Sequence, residues 1–286
     1  MKKLSLFLAL CAGIACEKEI DFTIPDPGSK ITIDTRLVAG EPVSAWLSQS
    51  TYSLSSDNPK PARGFEAYLY NQREELVDSL YSLEFSPGGN IFYRGNFLIE
   101  PDNSYRLEVN YPNLKTAWAY VNVPVNKEVT CLNWNNNLRE IDFCIDQNFK
   151  GWYRISMVNS LVIGEMPISF STISPGLEVF DADFGDFEDD DFNRTFGNYA
   201  YLSPLALGTN KRFSLRVEDP DLNLSQGFYL KVERINEAYY RHEKTKIAQG
   251  LTDGFFSEPV QVFSNVENGY GIVGTSTPYF NFIDTQ

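Results

Sequence analysis

From residue 31 the chain alternates apolar and polar residues with a period of two, and no helix-period segment competes with that pattern before residue 236. Ile31, Ile33, Thr35 and Leu37 fall on one face of such a strand, and Thr32, Asp34 and Arg36 on the other. Val43, Ala45 and Leu47 repeat the pattern after Gly40-Glu41-Pro42. Further alternating runs cover 65–70, 74–81, 91–93, 105–111 and 117–123. Turn chemistry separates them, as in Pro87-Gly88-Gly89-Asn90 and Asp102-Asn103. About seven short strands in roughly 95 residues predict an immunoglobulin-like β-sandwich over residues 31–124, with Pro124 at its boundary.

The rest of the chain, residues 125–286, reads as a second β domain, sandwich- or barrel-like, so the fold class is all-β. Strands are expected at 129–133 and 141–145, with Asn135-Asn136-Asn137 between them. That register sets Cys131 opposite Cys144, within disulfide reach in an exported chain; two buried thiols are the other reading. One helix is predicted at about 236–249, with Asn236 as its N-cap and Gly250 at its C′ position. A closing hairpin is expected at about 259–274 around Asn268-Gly269, the preferred type I′ pair.

The N-terminus speaks to location. Lys2 and Lys3 precede a short apolar run, residues 4–15, which ends in small residues before Cys16. A basic head, a short apolar core and small residues before the cut mark a secretory signal, here residues 1–15. The cysteine after the cut resembles a bacterial lipobox, so Cys16 is expected to carry acyl chains such as palmitate and to become the mature N-terminus. Residues 16–30 then form a tether, acidic at Glu17, Glu19 and Asp21 and stiffened by Pro25 and Pro27. Acidic residues directly after the acylated cysteine resemble the surface-export signal of Bacteroidota lipoproteins.

The formal net charge of −14 falls to about −16 once Lys2 and Lys3 leave. A polyanion without a Lys/Arg cluster is repelled by phosphate backbones, which disfavours nucleic acid as a partner and, for the same reason, avid binding to an anionic lipid surface.

The stretch Phe256-Ser257-Glu258-Pro259-Val260-Gln261-Val262-Phe263-Ser264-Asn265-Val266-Glu267-Asn268-Gly269-Tyr270-Gly271-Ile272-Val273-Gly274 closely resembles the C-terminal signature of the domain-of-unknown-function family DUF4249. Cys16-Glu17-Lys18-Glu19-Ile20-Asp21 is similar to the start of the same proteins. The resemblance implies an outer-membrane lipoprotein of Bacteroidota, of a kind often encoded beside TonB-dependent transporters. It brings no catalytic residues. The signature itself reads as a fold-closing element or as a partner-docking edge.

Catalytic sets are missing from the sequence. His242 is the single histidine and has no second histidine four residues on, which removes the zinc-protease pattern. No nucleophile elbow, phosphate loop or dinucleotide fingerprint appears. Residues 181–191 hold seven carboxylates, the kind of density that calcium requires. Asp181, Asp183, Asp186 and Glu188 are the candidate donors, although Asp186 stands where an EF-hand needs glycine. A solvated loop and a partner contact are the competing readings, and neither a metal nor a cofactor is assigned.

The expectation is a non-enzymatic, surface-facing outer-membrane lipoprotein. It would be held by outer-membrane lipid through Cys16 and would act as an accessory subunit to a β-barrel, a TonB-dependent transporter for nutrient uptake. The alternatives are a stand-alone glycan- or peptide-binding lipoprotein and a subunit of outer-membrane assembly or secretion machinery.

Overall fold

In the computed structural model, residues 28–50, 63–84, 91–146, 148, 150–159, 165–180, 195–207, 212–219, 222, 224–251 and 261–285 are described. The expected meander is present as β1 (Ile31–Val38), β2 (Pro42–Gln49), β3 (Glu66–Asn71), β4 (Leu76–Glu84), β5 (Ile91–Leu98), β6 (Ser104–Asn110) and β7 (Ala117–Asn122). The alternation sets which face is buried. Ile31, Ile33 and Leu37 are fully buried, each contributing about 1.5–3 kcal/mol of transfer free energy.

Strand β4 builds the sandwich by belonging to both of its layers. Its first half pairs with β3, with Leu80 opposite Ala67, and its second half pairs with β5, with Tyr81 opposite Arg94. β3, β6 and β7 extend one layer, while β5, β2 and β1 extend the other. The free edge of β7 returns toward the layer of β1 through reciprocal backbone bonds between Trp118 and Glu267 (2.8 and 3.2 Å).

The second half forms two further layers. Strand β8 (Thr130–Asn135), β9 (Glu140–Cys144), β12 (Phe170–Thr172), β14 (Thr195–Gly197) and β16 (Arg212–Val217) make a five-stranded sheet in the order β14-β12-β16-β9-β8. Facing it are β10 (Trp152–Val158), β11 (Pro167–Ile168), β13 (Leu177–Glu178), β15 (Ala200–Leu202) and β17 (Phe228–Ile235). Phe143, Phe170, Phe213, Ile155 and Leu230 fill the space between these layers. Helix α1 (Pro204–Leu207) is a single turn. Helix α2 (Glu237–Leu251) packs Tyr239 and Tyr240 against Ile235 and Ile272.

The last strand, β18 (Gly269–Ile283), joins the halves. Its first part runs parallel to β1, from Gly269 opposite Ile31 to Ser276 opposite Val38. Its second part runs antiparallel to β17, from Ser276 opposite Ile235 to Ile283 opposite Phe228. One strand of roughly 50 Å, at about 3.3 Å per residue, thus serves both sandwiches in succession. Gly271 adopts φ 98°, and a Cβ there would collide with the carbonyl oxygen of Ile33. A Cβ on Gly274 would sit 2.6 Å from Cδ2 of Tyr239, so α2 can lie against the strand only where it has no side chain. The segment around Pro124 is clamped rather than loose. The Asn126 amide donates to the carbonyls of Val232 and Thr277 (both 2.7 Å), and Arg234 Nη1 donates to that of Val125 (2.7 Å).

Three local expectations take a different form. The segment before Asn268 is not a strand, so the expected closing hairpin is absent from the described part of 259–274. Asn265 spans the gap instead: its amide donates to the Val273 carbonyl (2.9 Å) and accepts from the Val273 N–H (3.0 Å). Gly250 is helical and does not cap α2, which runs to Leu251. Cys131 is not directly opposite Cys144. A bulge between Thr130 and Asn133, with Cys131 at φ 58°, brings Thr130 to that position.

Candidate functional site

The outer face of the central sheet carries a group of charges that periodicity alone assigns to solvent. Arg36 on β1, Arg154 on β10, and Lys231 and Glu233 on β17 converge there beneath α2. Glu233 is completely buried. Arg154 donates from Nε to its Oε2 (2.6 Å) and makes a second close contact through Nη2. Arg36 and Lys231 approach Oε1 at 3.4 and 3.5 Å. Lys231 also donates to both carboxylate oxygens of Glu165 (2.6 Å each), and Arg154 donates to the Tyr239 hydroxyl (3.1 Å). The Arg154 guanidinium lies 4.8 Å from the centre of the Tyr199 ring.

Electrostatics decides what this group can do. Burial alone pushes the Glu233 carboxyl upward, but the charges of Arg154, Arg36 and Lys231 outweigh it and hold the group at about 2. A carboxyl so firmly ionised has no proton to donate near neutral pH and is a poor base. The same carboxylate keeps Arg154 charged despite its burial. The cluster joins β1 of the first half to β10 and β17 of the second, and is therefore a structural tie.

Open cavities also lie among the described residues. One, of about 300 Å³, lies beside the β8–β9 turn and is lined by Trp134, Asn136, Arg139, Leu222, Leu224 and Ser225, with Thr285 at its rim. Trp134 packs edge-on against Phe228 at 5.2 Å, while its indole Nε1 is buried without a hydrogen-bond partner. Another, of about 340 Å³, lies where the chain enters β1.

The candidate site residues fall as follows. Cys16 and the calcium candidates Asp181, Asp183, Asp186 and Glu188 lie outside the described residues. Cys131 and Cys144 are brought side by side as free thiols that share a hydrogen bond. That bond and the nearby Arg212 lower the Cys131 thiol, while burial and the same bond push Cys144 up to about 11. Cys131 is exposed, so the pair is not the buried one considered from sequence. His242 is buried on α2, with Nδ1 donating to the Phe263 carbonyl (2.7 Å), a packing role. No three metal-ligating side chains cluster among the described residues.

Comparison with known families gives one match. The model of the family described as domain of unknown function, DUF4249, aligns with residues 17–279. The chain belongs to the DUF4249 family. The match takes in both sandwiches, α2 and β18 as far as Tyr279. No curated protein matches the chain.

Proposed function

We propose that this DUF4249 protein is a lipid-anchored, surface-facing subunit of a bacterial outer membrane, of the Bacteroidota type, working as a non-enzymatic accessory to a β-barrel, a TonB-dependent transporter for nutrient uptake. One observation carries the reading: a basic head, a short apolar run and small residues lead directly to Cys16, and an acidic, proline-bearing tether follows. The body agrees with such a role. Its conspicuous buried charges are locked into a tie. Purifying a tagged form from detergent-solubilised outer membrane tests the proposal. Co-recovery of a barrel protein is expected, and recovery of the lipoprotein alone overturns the partnership. An unacylated N-terminus at residue 16, measured by mass spectrometry, overturns the address.

A second reading, capture of a glycan or peptide without a barrel, draws support from the cavity with Trp134, Asn136 and Arg139, whose aromatic wall and hydrogen-bonding groups suit such ligands. Calorimetric titration with glycans and short peptides separates the two. Tight binding by the isolated protein favours capture, and its absence favours the accessory role.

A further inference from the structure

The cavity at the entry to β1 stands apart from the acidic character of the chain. It is lined by Ser29, Lys30, Asn113, Leu114, Lys115 and Asn268, which supply two ammonium groups, two amides and a hydroxyl, and no carboxylate. Among the described residues neither Lys30 nor Lys115 is ion-paired. The walls are held in place. The Lys30 N–H donates to Ser50 Oγ (2.9 Å), the Ser50 N–H donates to the Lys30 carbonyl (2.8 Å), and the Asn268 amide donates to the Thr116 carbonyl (3.3 Å). Lys30 Nζ lies 4.6 Å from the ring centre of Tyr270, leaving an aromatic at the rim, as suits a water–lipid boundary.

A second observation concerns the two ends of the first sandwich. Among the described residues, the strand registers put Lys30, Arg63, Glu66, Glu84, Lys115 and Glu267 at one end. The turns at the other end carry Glu41, Arg73, Glu74, Glu75, Glu100 and Asp102. Three cations face three carboxylates at the first end; one cation faces five at the second. The less acidic end is the one where Lys30 follows the tether.

We infer that this cavity binds the phosphate group of an anionic lipid headgroup, so that the tethered end of the first sandwich rests on the membrane that holds the acyl chains. The inference builds on the anchoring at Cys16 and adds an orientation to it. Eleven residues lie between Cys16 and Gly28, and an extended chain over that distance spans about 40 Å, so the tether alone fixes neither height nor tilt. A phosphate held between Lys30 and Lys115 fixes both.

The test uses the full chain in a neutral detergent, with amine-reactive labelling of individual lysines read by peptide mass spectrometry. The exposed Lys246 on α2 serves as the internal reference. The probes are short-chain phosphatidic acid and, separately, inorganic phosphate. Phosphatidic acid is expected to slow labelling of Lys30 and Lys115 relative to Lys246, and inorganic phosphate to do so more weakly. In Lys115→Gln, the lipid concentration that half-protects Lys30 should rise about fivefold, equivalent to about 1 kcal/mol for one lysine near an anionic headgroup. No selective protection by either probe overturns the site. Equal protection by both probes overturns the lipid as its occupant. The mass of the native N-terminus reports acylation separately, so failure of the anchor is distinguishable from failure of the cavity.

Discussion

Replacing Glu233 by Gln removes the only negative charge among the described residues in contact with the Arg154 guanidinium, while keeping the shape of the side chain. Lys231 retains Glu165, and the Arg36 side chain is partly exposed, although its Nη1 facing Glu233 is buried. Arg154 is the group left stranded, buried with the Tyr239 hydroxyl as its remaining side-chain bond. Breaking a buried pair by removing one partner costs about 3–5 kcal/mol, and the amide oxygen can still accept from Nε, so the expected loss is about 3 kcal/mol. The pH dependence gives an independent figure. The folded Glu233 sits near 2 against an ordinary 4.5, and about 1.4 kcal/mol per unit makes the contribution about 3 kcal/mol. Because the folded value is depressed, this stability is complete above the unfolded value and is lost as pH falls from about 4.5 toward 2. Urea unfolding of parent and variant, followed by tryptophan fluorescence at pH 7 and pH 3, measures both quantities. The gap should be about 3 kcal/mol at pH 7 and smaller at pH 3. A variant within 1 kcal/mol of the parent at pH 7, or a gap independent of pH, refutes the view that three cations hold this carboxylate ionised.

Gly271→Ala should destabilise by about 2–5 kcal/mol, since it adds a steric clash with β1 to the strain of a positive φ; a urea midpoint equal to the parent's would show that β18 can move away. Asn265→Ala should cost about 1–3 kcal/mol by leaving both backbone groups of Val273 without that amide, and hydrogen exchange at Val273 should rise well before global unfolding. At pH 8 the exposed Cys131 should be alkylated before Cys144, whose thiol is pushed up to about 11; timed alkylation with peptide mass spectrometry reads the order, and equal rates count against the shared hydrogen bond.

The first sandwich was legible because each strand writes its burial directly into alternate residues: Ile31, Ile33 and Leu37 are buried, while Asp34 between them is exposed. Helix α2 was legible through its cap, where Asn236 Oδ1 accepts from the Tyr239 N–H (3.0 Å). β18 was hidden for the opposite reason. Its glycines and Pro278 look like turn material, yet they permit close approach to β1 and to α2, which are distant in sequence. The Asn268-Gly269 pair does turn, with Asn268 at φ 56°, but the amide of Asn265 takes the bonds to Val273 that a preceding strand would have made. The cluster of Arg154, Lys231 and Glu233 left no mark in the sequence, because alternation cannot reveal that a helix will cover the charged face of a strand. The cysteine register failed by one residue, since a bulge leaves no reliable mark in a short edge strand.

The shared strand sets an order of events for a chain made from its N-terminus. Ile31 and Ile33 emerge early, yet their neighbours along β1, Gly269 and Gly271, follow more than two hundred residues later. Throughout synthesis the first sandwich therefore lacks one wall, and the edge of β1 waits open for more than two hundred residues of further chain. A body whose first sandwich cannot close until β18 arrives stays pliable until that strand has been made, and only then can it become rigid.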